Sequence, residues 1–144
     1  MPSLREAGLR HARYYESVLR NANESYQQGG ESTREGLILL DSEWDNIQTG
    51  QTWATAFMEV DNNAAQLCSD YPEAGVYILD LRQSFHNRID WRESALAAAR
   101  ELKRRDAEAV HLGNIGIAYA DLGNASKAIE YHNGHLKIAQ ELAD

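Results

Sequence analysis

Apolar residues recur at three- and four-residue steps over positions 4 to 27, through Leu4, Ala12, Tyr15, Leu19, Ala22 and Tyr26. That spacing draws one stripe along an amphipathic helix. "QQGG" closes it, since Gly29 and Gly30 accept the left-handed backbone of a helix stop. Ser32 and Glu35 in "ESTRE" have capping-box spacing and start a second helix. Its stripe runs through Leu37, Leu40, Trp44, Ile47, Ala54 and Met58, with Gly50 a weak point inside it. "EVDNN" breaks the pattern, and a short helix is expected over 64–68. "SDYPEAG" opens another, capped by Ser69 or Asp70 with Pro72 near its first turn, and striped by Ile78, Leu81 and Phe85. "NRIDWRE" reads as a turn with Asp90 and Glu93 as a further capping box, and "SALAAARELK" consists of strong helix formers. After a break at "RRD" come "AEAVHLGNIGIAYADLG" and "NASKAIEYHNGHLKIAQELAD". No stretch alternates as a strand does, so the pattern predicts an all-α chain of about seven helices joined by short turns.

The glycines of "HLGNIGIAYADLGNASKAIEYH" raise a choice: a backbone loop that cradles phosphate, or places where two helices lie too close for a side chain. Ile115, Gly116, Tyr119, Leu122, Gly123, Ala128 and Ile129 describe a helix, a Leu-Gly-Asn turn and a second helix. Gly116 and Ala128 fall on facing sides of that hairpin, Gly123 supplies the turn and Asn124 caps the second helix. Leu81, Phe85, Asp90 and Ser94 stand 34 residues before Ile115, Tyr119, Asn124 and Ala128, and a fixed spacing of this size is the mark of repeat architectures.

The stretch from "LGNIGIAYADLGNASKAIEYH" to "LKIAQELAD" resembles the tetratricopeptide repeat in its longer bacterial form, matching at Gly116, Tyr119, Gly123, Ala128 and Ala139. The match is close over 107–144 and looser over 73–106, where Arg82 stands for Gly116 and Ser94 for Ala128. His135 also departs from the usual alanine. The resemblance implies antiparallel helix hairpins stacked as a short right-handed α-solenoid, in one continuous domain. Within it, 1–72 would form a helical N-terminal segment and 73–144 two hairpins. The first half, with "LRHARYYESVL" and then Glu43, Asn46 and Ile47, resembles the helical segment before such repeats in bacterial regulatory ATPases of the STAND type. On that resemblance the chain is a sensor or regulatory piece of a longer protein, or a free-standing relative of one.

Composition narrows the classes. With 43% hydrophobic and 25% charged residues the chain has globular proportions. No apolar run approaches the roughly 20 residues of a membrane span, and the first residues lack a secretory core. Only Pro2 and Pro72 interrupt helix formation. Cys68 is alone, which excludes an internal disulfide and suits a cytoplasmic chain; it reads as a small buried hydrophobe. The net charge of −8, from 22 acids against 14 lysines and arginines, opposes a phosphate backbone. The basic cluster "RELKRR" at 100–105 falls where cations complement the end of a helix. Neither nucleic acid nor membrane is an expected partner.

Chemistry is sparse. "GNIG" lacks the flanking strands and cations of an RNA-binding loop, and "GNASK" lacks the ending of a Walker loop. The glycines are therefore read as packing glycines. His132 and His135 stand three apart, and His111 could join them from the facing helix, but no cysteine or dense carboxylate cluster completes a metal set. "DSEWDN" lacks the glycine of a calcium loop. No serine, cysteine or lysine sits in a nucleophile elbow, and Trp44, Trp53 and Trp91 read as core. No catalytic residue, metal or cofactor is expected.

Stacked hairpins line a groove that takes an extended peptide or a partner helix. The resemblance assigns its open side to His111, Asn114, Ile117 and Asp121 on the matched hairpin, and to Leu79, Asp80, Gln83 and Asn87 upstream. At Asn114 related repeats often hold a ligand's backbone amide. The lining is neutral to acidic, and a polar or basic ligand or a neighbouring domain is expected. Ile138 and Leu142 continue an apolar stripe to the end of the sequence, which predicts either a fragment or self-association through the C-terminal hairpin. The leading expectation is a non-catalytic protein-interaction scaffold. The alternatives are the ATPase sensor piece and a metal- or small-molecule-binding helical bundle around His111, His132 and His135.

Overall fold

Ser3 opens the first helix, accepting from the Glu6 amide at 3.1 Å while its own amide donates to the Glu6 carboxylate at 3.3 Å. This reciprocal pair satisfies two amides that a helix end leaves free. The structure is a computed structural model that describes residues 3–144; Met1 and Pro2, the start of the expected N-terminal segment, lie outside the described residues. Helix α1 is Leu4–Gln27, α2 is Glu31–Phe57, α3 is Asn62–Ala74, α4 is Phe85–Glu101, α5 is Arg105–Leu122 and α6 is Ala125–Ala143. A single 3-10 turn, Leu79–Leu81, lies between α3 and α4. The described residues are thus all-helical, with six α-helices where about seven were expected, and no strand among them.

Four local expectations change. Helix α2 begins at Glu31, with Gly30 at its cap and no side chain capping it, so Ser32 and Glu35 lie inside the helix. Instead the Thr33 hydroxyl donates to the Tyr26 carbonyl at 2.8 Å and ties the start of α2 to the end of α1. The short helix at 64–68 and the one expected to open at Ser69 are a single helix, α3, capped by Asp61 at the Asn63 and Ala64 amides. Pro72 falls in its last turn rather than its first. The lost hydrogen bond and the preference of the preceding residue for extended backbone are overridden by burial: Tyr71 is fully buried and its hydroxyl donates to the Ala12 carbonyl at 2.6 Å. Finally, "NRIDWRE" is helical. The cap of α4 is Ser84, which accepts from the Asn87 amide at 3.1 Å, and Asp90 is an exposed residue within the helix.

The last hairpin forms as the pattern predicts. Gly123 adopts φ +89° at the end of α5, a conformation that suits glycine, and Asn124 accepts from the Lys127 amide at 3.1 Å.

Each helix packs on its neighbours in the chain: α1 on α2, α3 on α4, α4 on α5 and α5 on α6, with α3 also against α1 and α2. The larger core joins the first four helices through Leu19, Leu40, Ile47, Tyr71, Ile78 and Trp91. Trp44 stacks on Trp91 at 5.8 Å between ring centres and Tyr71 meets it edge-on at 5.9 Å, the offset and edge geometries that aromatic pairs prefer. Leu96, Ala109, Leu112, Ile115 and Ile138 form a smaller core among α4, α5 and α6. Side chains of this kind contribute roughly 1.5–3 kcal/mol each when fully buried.

Candidate functional site

The end of α3, the turn after it and one face each of α4 and α5 enclose a cavity of about 240 Å³. Five of the eight expected groove residues line it: Leu79, Asp80 and Gln83 from the turn, Asn114 and Ile117 from α5. Their convergence depends on the chain doubling back through residues 75–84. The Leu79 amide donates to the Gly75 carbonyl at 2.9 Å and the Gln83 amide to the Leu79 carbonyl at 2.8 Å. Asn23 of α1 accepts from the Tyr77 and Ile78 amides at 3.0 Å each and holds the bend against the body.

The other three residues part company with the cavity. Asn87 lines a separate hollow of about 390 Å³ with Thr52, Thr55, Ala56, Trp91 and Ser94. Asp121 is outside the lining, accepting from Arg88 at 3.5 Å. His111 is 1% exposed, so it is a core residue and not part of an open face.

Two arginines of α4 are the residues that sequence reasoning missed. Arg88 forms an ion pair with Asp80, Nε to carboxylate oxygen 3.1 Å, and donates through Nη2 to Asp121, with its guanidinium over the Phe85 ring. It links the turn to the end of α5. Arg92, one helical turn on, is paired with Glu73 of α3. Their i, i+4 spacing was the available signal, masked by reading 87–93 as a turn. The neutral-to-acidic lining expected from sequence thus also carries two cations of α4, paired with Asp80 and Glu73. Asn114 is also committed in part, its amide nitrogen donating to the Val110 carbonyl at 2.9 Å. By contrast, Gln83 Nε2 is buried without a hydrogen-bond partner.

Behind the cavity wall, His111 Nε2 lies 2.9 Å from Ser69 Oγ and His111 Nδ1 lies 3.1 Å from Arg92 Nη1. A serine and histidine in contact suggest a nucleophile and its base, but the third member reverses the logic. A guanidinium only donates, so Nδ1 must accept, and the ring proton sits on Nε2 and points at the serine. His111 therefore holds no lone pair toward Ser69 with which to take its proton. Burial, with the Arg92 charge added, pushes the His111 pKa down to about 4, which keeps the ring neutral.

The histidines do not gather. His132 packs over Gly116, where an added Cβ would come within 2.8–2.9 Å of the ring, and His135 covers Gly113 with Nδ1 at 2.6 Å from the Ala109 carbonyl. These glycines are mid-helix and receive side chains of α6. Among the described residues no three His, Cys, Asp or Glu side chains are placed to share a metal ion, which removes the cluster on which the metal-bundle alternative rested.

The basic cluster at 100–105 is also accounted for. Arg100 and Arg105 both bind Glu108, at 3.0 and 2.9 Å, Arg104 binds Asp106 at 3.0 Å, and Arg105 reaches Glu141. Burial raises the Glu108 carboxyl, and the hydrogen bonds from both arginines outweigh it and hold the pKa below the ordinary value. Cys68 is buried, and burial pushes its thiol up to about 11. Among the described residues no helix is long and apolar enough to cross a membrane.

Ile138, expected at a self-association surface, is 4% exposed and buried inside its own hairpin; its position in the stripe is satisfied by Leu112 and Ile115 of the same small core. Leu142 is 56% exposed. No family model, curated protein or solved structure matches the chain.

Proposed function

We propose that this chain is a non-catalytic interaction scaffold that receives an extended peptide or partner helix where the turn after α3 meets α4 and α5. The observation that carries the reading is the cavity itself, in which residues from two separate segments, 79–83 and 114–118, come together beside exposed apolar surface at Ile117. The α5–α6 hairpin, with its left-handed glycine turn, supports the tetratricopeptide likeness and a short solenoid of stacked hairpins, and the lone free Cys68 suits a cytoplasmic protein. Concave sites of this kind suit recognition by a few placed polar groups within an apolar lining.

Panning random peptides against the immobilised chain tests the proposal. Selected peptides should bind without turnover and lose at least about tenfold in affinity to Ile117→Glu, the equivalent of about 1.4 kcal/mol and below the roughly 2 kcal/mol of a central contact residue. Ile117 is half-exposed, so the substitution spares the core. Failure to enrich any sequence, or binding indifferent to Ile117, sinks this reading.

A further inference from the structure

We propose that the exposed face of α1 around Arg10, Arg13 and Tyr14 is a second interaction surface, which receives an acidic helix of a partner protein. Nine of the eleven arginines in the chain pair with a carboxylate of the same chain. Arg10 and Arg13 pair with none among the described residues. Both stand on one exposed face of one helix, in a chain with 22 acids against 14 lysines and arginines. A shortage of carboxylates does not account for that. No residue of α1 lines the cavity beside α5, so this surface goes beyond the peptide site and does not depend on it.

Helical spacing makes the surface continuous. Arg10, Arg13, Tyr14 and Ser17 follow one another at steps of three and four residues, and all are exposed. The rise from Arg10 to Arg13 is about 4.5 Å, the same as between two carboxylates three residues apart on a partner helix. A guanidinium is a planar fork that takes a carboxylate through two hydrogen bonds and gives up its water more readily than an ammonium. Tyr14 is 61% exposed, yet its ring is held edge-on to Tyr15 at 4.9 Å, and Tyr15 lies 4.6 Å from His11. An exposed ring already held in place loses little freedom on contact, and tyrosine and arginine are among the side chains that carry most of the energy of protein interfaces.

Charge selects the partner. Glu6 and Glu24 are exposed on the same stripe and bound the two arginines on either side, about 27 Å apart along the helix. An extended phosphate polymer draws its affinity from many neutralised phosphates. Laid along α1 it meets two free arginines, then both glutamates, and beyond them a net charge of −8. An anionic bilayer meets the same groups. A helix that carries its carboxylates within one turn reaches Arg10 and Arg13 without approaching either glutamate, and its apolar side chains lie against the Tyr14 ring.

The probe is an acetylated, amidated alanine-rich peptide of about 15 residues, long enough to be helical, with paired glutamates three residues apart. It is titrated into the isotope-labelled chain and followed by nuclear magnetic resonance. The arginine Nε signals of Arg10 and Arg13 and the ring signals of Tyr14 should shift saturably, and the peptide with glutamine in place of glutamate should leave them unmoved. Arg10→Gln with Arg13→Gln should weaken binding at least about tenfold, and Tyr14→Ala by roughly fivefold. Lys127→Gln with Lys137→Gln removes the same charge from α6 and should change affinity by less than about twofold. All of these side chains are exposed, so the variants keep the fold. No saturable shift, shifts that avoid α1, or equal losses in the two double variants overturn the surface. So does duplex DNA or a phosphatidylserine vesicle that binds through Arg10 and Arg13 more tightly than the peptide.

Discussion

The Tyr71 hydroxyl occupies the space that a side chain at Gly50 would fill. Tyr71 of α3 reaches between α1 and α2 to donate to the Ala12 carbonyl, and a Cβ built on Gly50 would collide with that hydroxyl and stand 3.2 Å from the Ala12 Cα. The position that looks weakest in α2 by helix propensity is where three helices meet.

Gly50→Ala should therefore destabilise the protein. The gain in helix propensity is about 1 kcal/mol, and overpacking at a filled site costs about 1–3 kcal/mol, with the loss of a buried hydrogen bond added. A net loss of about 1–2 kcal/mol in urea unfolding is expected. In a Tyr71→Phe background, where the hydroxyl is gone, the same substitution should cost much less. A stabilised Gly50→Ala variant contradicts the packing.

The neutral His111 makes acid stability measurable. Its imidazole takes a proton near pH 6.5 when unfolded and only near about 4 when folded. Above pH 6.5 neither state binds the proton and stability is unaffected. Between 6.5 and 4 the unfolded chain binds it and the folded chain does not, so stability falls, by up to about 3 kcal/mol across the window. Asp41 and Asp61, held below the ordinary carboxylate value, add losses at still lower pH, while Glu16 and Asp70, raised by burial, take up protons above their ordinary values and offset part of the His111 loss within the window. His111→Gln keeps one donor and one acceptor without the titration and should flatten the pH 4–6.5 limb. Nitrogen-resolved spectra of the folded protein at pH 6 should show the proton on Nε2; an Nδ1 proton would overturn the assignment.

The Arg92–Glu73 pair should respond unequally to loss of either partner. Arg92→Met leaves the His111 Nδ1 acceptor buried and unpaired and should cost about 2–3 kcal/mol. The Glu73 side chain is 40% exposed, so water can replace it, and Glu73→Gln should cost under about 1 kcal/mol. Equal costs in denaturant titration would show that the ion pair itself, and not the histidine behind it, is what matters.

Self-association through the C-terminal hairpin predicts a dimer by light scattering that Leu142→Asp converts to monomer. Leu142 is exposed enough for the charge to leave the fold intact. With Ile138 buried, the interface would be carried by Leu142 and by the exposed Leu136 of the same helix. A wild-type monomer across the working concentration range rejects it.

Legibility followed the range of each interaction. Helices α1, α5 and α6 and the turn at Gly123–Asn124 could be read from local pattern, because their stripes, stops and caps lie within a few residues of one another. The middle of the chain could not. Pro72, Asp90 and Glu93 carry local signals for breaks and caps, and burial of Tyr71 and Trp91 against α1 and α2 outweighs them. Of the groove residues, those in the turn and on the exposed side of α5 came together, whereas His111 looked like a polar edge residue. Its acceptor role depends on Arg92 and Ser69, 19 and 42 residues away.

By itself, the sequence determined the helical class, the chain reversals at Gly29–Gly30 and Gly123, and the packing role of Gly113 and Gly116, since these follow from side-chain periodicity and backbone sterics within a single helix or hairpin. Only the tertiary structure decided which polar groups are buried, which arginines stand at the cavity wall, and that Gln83 is left with a buried, unpaired donor. Those outcomes depend on distances between segments far apart in the chain, and desolvation acts on a group only once its neighbours have closed around it.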